Sequence, residues 1–369
     1  MVLSYQSLLD LAQGAVPMIR FPGGINLARF QPASIDCPLG DRAYCLRAAT
    51  IPRKGELVQD LLKKLCRYDF ALQPQGSVLE RGLCYIIPLN LELALTANFM
   101  AVFSPKSSVG RNDVFVRVLS DSGAGYDKTS FGYQGKLYLE VMPLSFAVKV
   151  VPGLDLTQMR LRQGLDQLTN HELEMLHAKH GIIRSKTGES LANGRVVIED
   201  DGISFHVDLD REIVGFEARE NPAAEVCLDL KDSHDPNQFW IPIPRPENGE
   251  LILSPGRFYL LTTCERVKIP PEVCAEVVPY DVAAGEFRSH YAGFFDSGFG
   301  GQNGTNAVLE VRVRDIPFRL GHGQKICRML FEPTDQVPEK LYGAEAGSHY
   351  IVSGPCLAKH YKNSQTVWK

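Results

Sequence analysis

Two segments of this chain concentrate groups that could hold or transform a charged ligand. Ser104 to Arg111 reads SPKSSVGR and gathers Lys106, Ser107, Ser108 and Arg111 around Gly110. Cations supply charge to phosphate oxygens, hydroxyls and main-chain amides donate to them, and a glycine lets the backbone come close. A solvated turn has the same composition, so the segment alone leaves both readings open. GxxxxGK[ST] occurs nowhere, which excludes a P-loop. His290 to Gly301 reads HYAGFFDSGFGG and sets Asp296 among Phe294, Phe295 and Phe299. Such rings can flank a base or a sugar, and a Gly-rich hairpin with its aromatics in the core is the other reading.

Glu140 and Glu310 each sit inside an apolar run, YLEVM and VLEVR. A carboxylate in a dry strand position has a raised pKa and can take a proton from water. An exposed alternate position on an edge strand would look the same. Metal chemistry finds less support. A zinc nucleobase deaminase needs H-x-E followed by P-C-x-x-C, whereas here HELE begins at His171 and Pro355–Cys356 runs on into LAK. His171, His177 and His180 read as one helix surface rather than a metal site, and GxSxG, HExxH and GxGxxG are absent.

The elements that must carry these groups are mostly strands. Short runs rich in Val, Ile, Leu, Tyr and Phe recur between Gly, Pro, Asn and Asp, as in antiparallel barrels or sandwiches. Three helices are expected: one in the amphipathic run Leu3 to Leu11 with Ser4 as N-cap, Glu56 to Arg67, and the HELEMLHAKH run after Asn170, stopped by Gly181. Four patterns also occur twice in the same order. They are SID with HVD (Asp36, Asp208), the runs ending at Pro105 and Pro279, LYLEV with AVLEV, and VPGLDLTQMRL with LGHGQKICRML, at offsets of 170 to 174 residues. Order and spacing together point to two copies of one β domain. The expected division is a first barrel over 1–165, a helical connection over 166–193, and a second barrel with a tail over 194–369.

Composition narrows the setting. The 369 residues, with 44% hydrophobic and 22% charged, suit folded domains rather than a disordered chain. No apolar run nears the roughly 20 residues a bilayer needs. Met1 to Pro17 carries Asp10 and no basic n-region, so a secretory leader is not expected. Nine scattered cysteines without a CxxC pair fit reduced thiols in the cytoplasm. The net charge of −4, with no basic stripe, argues against nucleic acid as a partner.

Taken as an ordered set, the opening MVLSYQSLLDL, QPASID, SSVGR, AGFFDSGFGG, LEV and the strand G-x-x-I-x-(Q/R) resemble the dCTP deaminase branch of the trimeric dUTPase fold. The likeness covers most of the chain, once per half, as in a long, internally duplicated form. It implies a mainly β protein of two tandem dUTPase-like distorted β-barrels with a few short helices, assembling as a homotrimer. It implies hydrolysis of dCTP to dUTP and ammonia without zinc, with Mg2+ carried on the triphosphate and dTTP as a candidate effector. A strand Glu activates water for attack at cytosine C4, which makes Glu140 and Glu310 the catalytic candidates with Ser107 and Arg111. Lys106, Ser107, Ser108 and Arg111 match the phosphate segment, where the family usually has Arg in place of Lys106. Asp296 and, less closely, Asp127 match the sugar-contacting Asp. Ala292, Val308 and Leu309 match the backbone that reads the base, and Tyr350 lies in a segment resembling the closing tail.

The second half has Asp281, Val282 and Gly285 where the first has Ser, Ser and Arg. A composite site is therefore expected, joining Ser107, Ser108 and Arg111 to Asp296 and Glu310, with a first-half site using Glu140 and Asp127 as its rival. Two other functions stay in view. One is a diphosphatase or bifunctional deaminase, although NSQTVWK lacks the Arg/Gly/Phe-rich closing motif. The other is a nucleotide-binding regulator without turnover.

Overall fold

A computed structural model describes the chain except for residues 122, 124, 280–286, 289–292, 344–353 and 364–369, and without the side chains of 279, 287 and 288. Two compact units emerge: 1–165 with 223–231, and 166–222 with 232–369. Among the described residues no helix is long and apolar enough to cross a membrane.

Two sheets of the first unit position its candidate residues. One places the strands in the order Cys66–Ala71, Arg42–Leu46, Cys84–Ala94, Gln134–Pro143, Val114–Ser120, with Ile19–Arg20 added beside Cys84–Ala94. The other sets Asp155–Gln163 between Ile35–Pro38 and Phe99–Pro105. Alternation explains the faces. Along Cys84–Ala94, Leu89, Leu91 and Leu93 turn inward while Pro88, Asn90 and Glu92 are only half-buried. Asp155–Gln163 is closed in on both faces, and Thr157, Gln158 and Arg160 are buried along with Leu156, Met159 and Leu161.

The second unit has the same strand order. Trp240–Pro244, Ile213–Ala218, Phe258–Val267, Thr305–Val313 and Phe287–Arg288 form one sheet, and Ile183–Arg184 pairs with Phe258–Val267. Lys325–Pro333 lies between Gly202–His206 and Val273–Pro279 in the other. The registers match as well: Ile86 is opposite Glu140 in one unit and Leu260 opposite Glu310 in the other.

Four expectations need correction. The stretch 166–193 is no connection. Its helix Asn170–His180 starts from a capping box of Thr169 and Glu172, ends at left-handed Gly181, and puts Leu173 into the second core with Ile182 and Ile183. His177 is not on a helix surface; it is 1% exposed, with Nε2 against the Leu191 carbonyl (2.8 Å) and Nδ1 accepting the Ile183 N–H (3.3 Å). Residues 223–231 belong to the first unit, because Val226 is fully buried there and Val226–Cys227 runs parallel to Val148–Val150. Asp36 and Asp208 do not occupy matching places. The bond from Gly153 N–H to Leu39 O recurs as Gly323 N–H to Val207 O, which sets Asp208 where Gly40 stands and Ser204 where Asp36 stands. The other two helices run Tyr5–Gln13 and Val58–Leu65.

Candidate active site

Glu140 lies on Gln134–Pro143, the fourth strand of the five-strand run of the first unit, and is fully buried. Burying a carboxylate without partners is prohibitive, and here Arg117, its cross-strand neighbour, supplies the counter-charge. Arg117 donates to Oε1 from Nε (3.0 Å) and from a terminal nitrogen (2.6 Å). The second oxygen accepts from Tyr126 Oη (3.4 Å) and the Cys84 thiol (3.6 Å). The Arg117 guanidinium also stacks 3.5 Å from the Tyr126 ring centroid and 4.8 Å from that of Phe115. Burial, followed by the charge of Glu140, pushes the Tyr126 hydroxyl up to about 12 and raises the Cys84 thiol too, so both stay protonated donors at neutral pH. This carboxylate is a neutralised, fully coordinated ion-pair partner.

The SSVGR segment is a single helical turn, Ser107–Gly110, directly after the strand Phe99–Pro105. Ser108 and Arg111 are buried and Ser107 is half-buried. The Asn112 amide holds the Ser108 carbonyl (2.7 Å), and Asp113, at positive φ, accepts from the Ser145 hydroxyl (2.6 Å), so the turn is fixed from behind. Lys106 is ion-paired with Asp36. Beside that pair, burial and the charge of Asp36 raise the Asp155 carboxyl, with Arg29 opposing at 2.9 Å. Lys106 therefore acts on any phosphate through a pair that already has its carboxylate. Asp127 sits at φ +58° and uses one carboxylate oxygen to accept the Val118 N–H (2.7 Å), closing the end of the Arg117 strand.

In the second unit Glu310 is 2% exposed on Thr305–Val313. Leu309 is buried and Val308 half-buried beside it. Asp296 is 7% exposed and follows the short strand Phe294–Phe295. Its carbonyl accepts the Phe299 N–H (3.1 Å), and the next hydroxyl, of Ser297, donates to the Val273 carbonyl (2.7 Å). The Gly-rich turn has a steric cause: at φ +83°, a Cβ on Gly300 would stand 2.1 Å from the Val267 carbonyl oxygen. Phe295 and Phe299 pack edge to face at 4.7 Å, with Tyr342 5.2 Å from Phe299. The aromatics of this loop thus serve the core, with Phe294 and Phe299 buried. Ala292 and Tyr350 lie outside the described residues, as do Asp281, Val282 and Gly285.

Residue types alone missed Arg117 and Tyr126; the signal available was a lone arginine alternating with valines in VFVRVL. Among the described residues, Asp208, Cys264 and His322 could approach one ion. The donor set does not fit a cation. Asp208 accepts from Arg211 Nε (2.6 Å), Lys186 Nζ (3.1 Å) and the Asp210 N–H (3.0 Å), and His322 Nδ1 accepts the Leu209 N–H (3.1 Å). Burial works to raise the Asp208 carboxyl, but the Asp210 amide and the Arg211 charge outweigh it and hold the group below its ordinary range.

Comparison with known proteins accords with this arrangement. Residues 2–165 match the family model of the 2'-deoxycytidine 5'-triphosphate deaminase (DCD) N-terminal domain, and residues 169–361 match that of the DCD C-terminal domain. A relative from Methanosphaera stadtmanae named "dCTP deaminase, dUMP-forming" is 30% identical over 181 residues, spanning 46% of this chain and 88% of the relative. One from Natronomonas pharaonis named "dCTP deaminase" is 36% identical over 158 residues, 40% of this chain and 73% of the relative. The crystal structure of 2'-deoxycytidine 5'-triphosphate deaminase from Agrobacterium tumefaciens superposes with a TM-score of 0.85 at 38% identity, covering 94% of this chain and 99% of that one. With family models on both units and one structure alike from end to end, the chain belongs to the dCTP deaminase family of enzymes.

Proposed function

We propose that this chain hydrolyses dCTP to dUTP and ammonia, with Glu310 as the carboxylate that activates water. The water oxygen bonds to C4 of cytosine as Glu310 takes one of its protons and passes it to N3; the remaining hydroxyl proton then goes to the amino group, the C4–N bond breaks to release ammonia, and C4 is left as the carbonyl of uracil. The observation that carries this choice is the state of Glu140. A base must be able to accept a proton, and both oxygens of Glu140 are occupied by Arg117, Tyr126 and Cys84 within its own unit. In this reading the first unit contributes Ser107, Ser108 and Arg111 to the phosphates and the water. The second contributes Glu310, Asp296 toward the sugar, and the backbone at Val308 and Leu309 toward the base.

The shared strand order and register support reading the two units as an internal duplication in which one copy kept the phosphate segment and the other the reacting carboxylate. Homotrimeric assembly, Mg2+ arriving on the triphosphate, independence from zinc and a cytoplasmic setting complete the proposal. Product analysis with Glu→Gln variants tests it. Wild type should convert dCTP to dUTP with release of ammonia. Glu310→Gln should lose at least about 10²-fold in kcat, while Glu140→Gln should stay within a few-fold once folded. The reverse ranking would move the reaction to the first unit, and dCTP bound but unchanged would leave a regulator. The names of several relatives, "dCTP deaminase, dUMP-forming", favour one second reading, in which dUTP is further hydrolysed. Appearance of dUMP and pyrophosphate in the same assay would establish it.

A further inference from the structure

The second unit carries a cationic pocket that the proposed reaction does not use. It has a volume of about 480 Å³, within the range of small-molecule sites. Arg184, Lys186 and Arg195 line it with Ser185, Thr187 and His206. Its setting is electrostatically unusual. Arg184 lies directly opposite Arg266 in the pairing of Ile183–Arg184 with Phe258–Val267. Like charges in cross-strand register destabilise a sheet. Each of these arginines also buries an Nε–H with no acceptor. Among the described residues neither has a carboxylate partner, nor does Arg195; Arg184 reaches only the Gly188 carbonyl (2.8 Å). Burial and the nearby Arg211 lower the Arg266 pKa, as expected where cations crowd.

The acidic groups nearby do not answer this charge. Glu265, the one carboxylate on the pocket wall, is taken by His206, through Nδ1 (2.5 Å) and the main-chain N–H (3.0 Å). Asp208 and Asp210 bind Lys186 at 3.1 and 3.6 Å and leave the arginines uncompensated. Ser185 and Thr187 add hydroxyls 2.7 Å apart on a tight turn, where the Ser185 oxygen accepts the Thr187 and Glu189 N–H groups. Guanidinium forks, an ammonium and hydroxyls around a cleft are the recognition chemistry of phosphoryl oxygens.

We infer that this pocket binds an oligophosphate anion, at a site separate from Glu310. On the same strand pair, Arg266 stands opposite Asn306 while Leu260 stands opposite Glu310. Four residues of strand correspond to about 13 Å. The anion supplies the counter-charge that the facing arginines lack and so stabilises the second unit.

The test is thermal unfolding and calorimetric titration of the full chain with tripolyphosphate, in wild type, Arg184→Gln and Arg195→Glu. Wild type should gain melting temperature with the anion. Both variants should lose that gain and bind about tenfold or more weakly. Arg184→Gln also removes the like-charge pair, so without anion it should melt no lower than wild type. Arg195 is exposed, so its substitution leaves the fold intact. As a measurement independent of variants, hydrogen exchange on wild type should show anion-induced protection at 184–188 and 264–266. Tripolyphosphate and ATP in parallel separate the sources: equal affinity means the phosphate chain alone is recognised, and tighter ATP adds a nucleoside. An anion response identical in wild type and both variants would overturn the inference. So would a collapse of anion-free dCTP turnover in Arg195→Glu, which would make the pocket part of the reaction. Because the binding readouts need no turnover, failure of the deaminase reading leaves them intact.

Discussion

Glu140 shows how little a residue's type says about its role until its neighbours are known. YLEVM and VLEVR look alike, yet the structure closes Glu140 behind Arg117, Tyr126 and Cys84. That closure was not legible, because Arg117 and Tyr126 reach the carboxylate across strands, 23 and 14 residues away in the chain. It makes a stability prediction. Arg117→Ala leaves a fully buried carboxylate without its counter-ion and should cost about 3 kcal/mol, the lower end of the range for buried pairs because Arg117 keeps 22% exposure. Arg117→Met with Glu140→Gln removes both charges together and should recover more than half of that loss in denaturant unfolding. If the double variant is as unstable as the single one, the ion pair is not what holds this strand centre. Gly300 gives a second case at this scale. Gly300→Ala drives a methyl into the Val267 carbonyl at positive φ, and should cost about 2 kcal/mol or more.

At the scale of elements, local signals worked where hydrogen bonding is local and failed where burial decides. Gly181 as a helix stop and the amphipathic runs at 3–11 and 56–67 were readable because capping and 3.6-residue spacing lie within a few residues. The burial of His177 was not, since its partners, the Leu191 carbonyl and the Ile183 N–H, lie beyond the helix. The same helix has a pH-dependent tether. Glu272 accepts from Lys179 (3.1 Å) and His180 (2.6 Å). Burial opposes ionisation, but its own backbone amide and these two side chains prevail and hold the Glu272 carboxyl below 4.5. A lowered carboxyl pKa gives stability that is present above the unfolded value near 4.5 and is lost as pH falls through the folded one. Protection factors of the amides across 170–180, taken relative to intrinsic exchange at each pH, should therefore fall in wild type on acidification below about pH 4.5. In Glu272→Gln they should already be lower at neutral pH and change less with acid.

For the whole molecule, the sequence made the two-part plan legible because strand order and the distance between motifs survive divergence that erases individual residues. Its error over Asp36 and Asp208 has the same origin: an acidic residue in a similar context was matched by type, while the turn hydrogen bonds pair Leu39 with Gly153 and Val207 with Gly323. The return of 223–231 to the first unit could not be read at all, since no local pattern says which of two β units a two-residue strand will join. Yet it has an energetic consequence. Val226 donates its N–H to the Ala147 carbonyl (3.0 Å) and lies fully buried, while Leu228 donates to the Lys149 carbonyl (3.0 Å). The Val148–Val150 strand thereby gains a partner on the side away from Ser77–Leu79. Val226→Asp would bury an unpaired charge, and should destabilise the protein by about 3 kcal/mol. The informative part is where the loss appears. Although residue 226 follows all of 166–222 in the chain, hydrogen exchange should rise at 77–79 and 148–150 in the first unit, with the helix at 170–180 unaffected. Faster exchange confined to the second unit would mean that the segment belongs there and that the first unit closes without it.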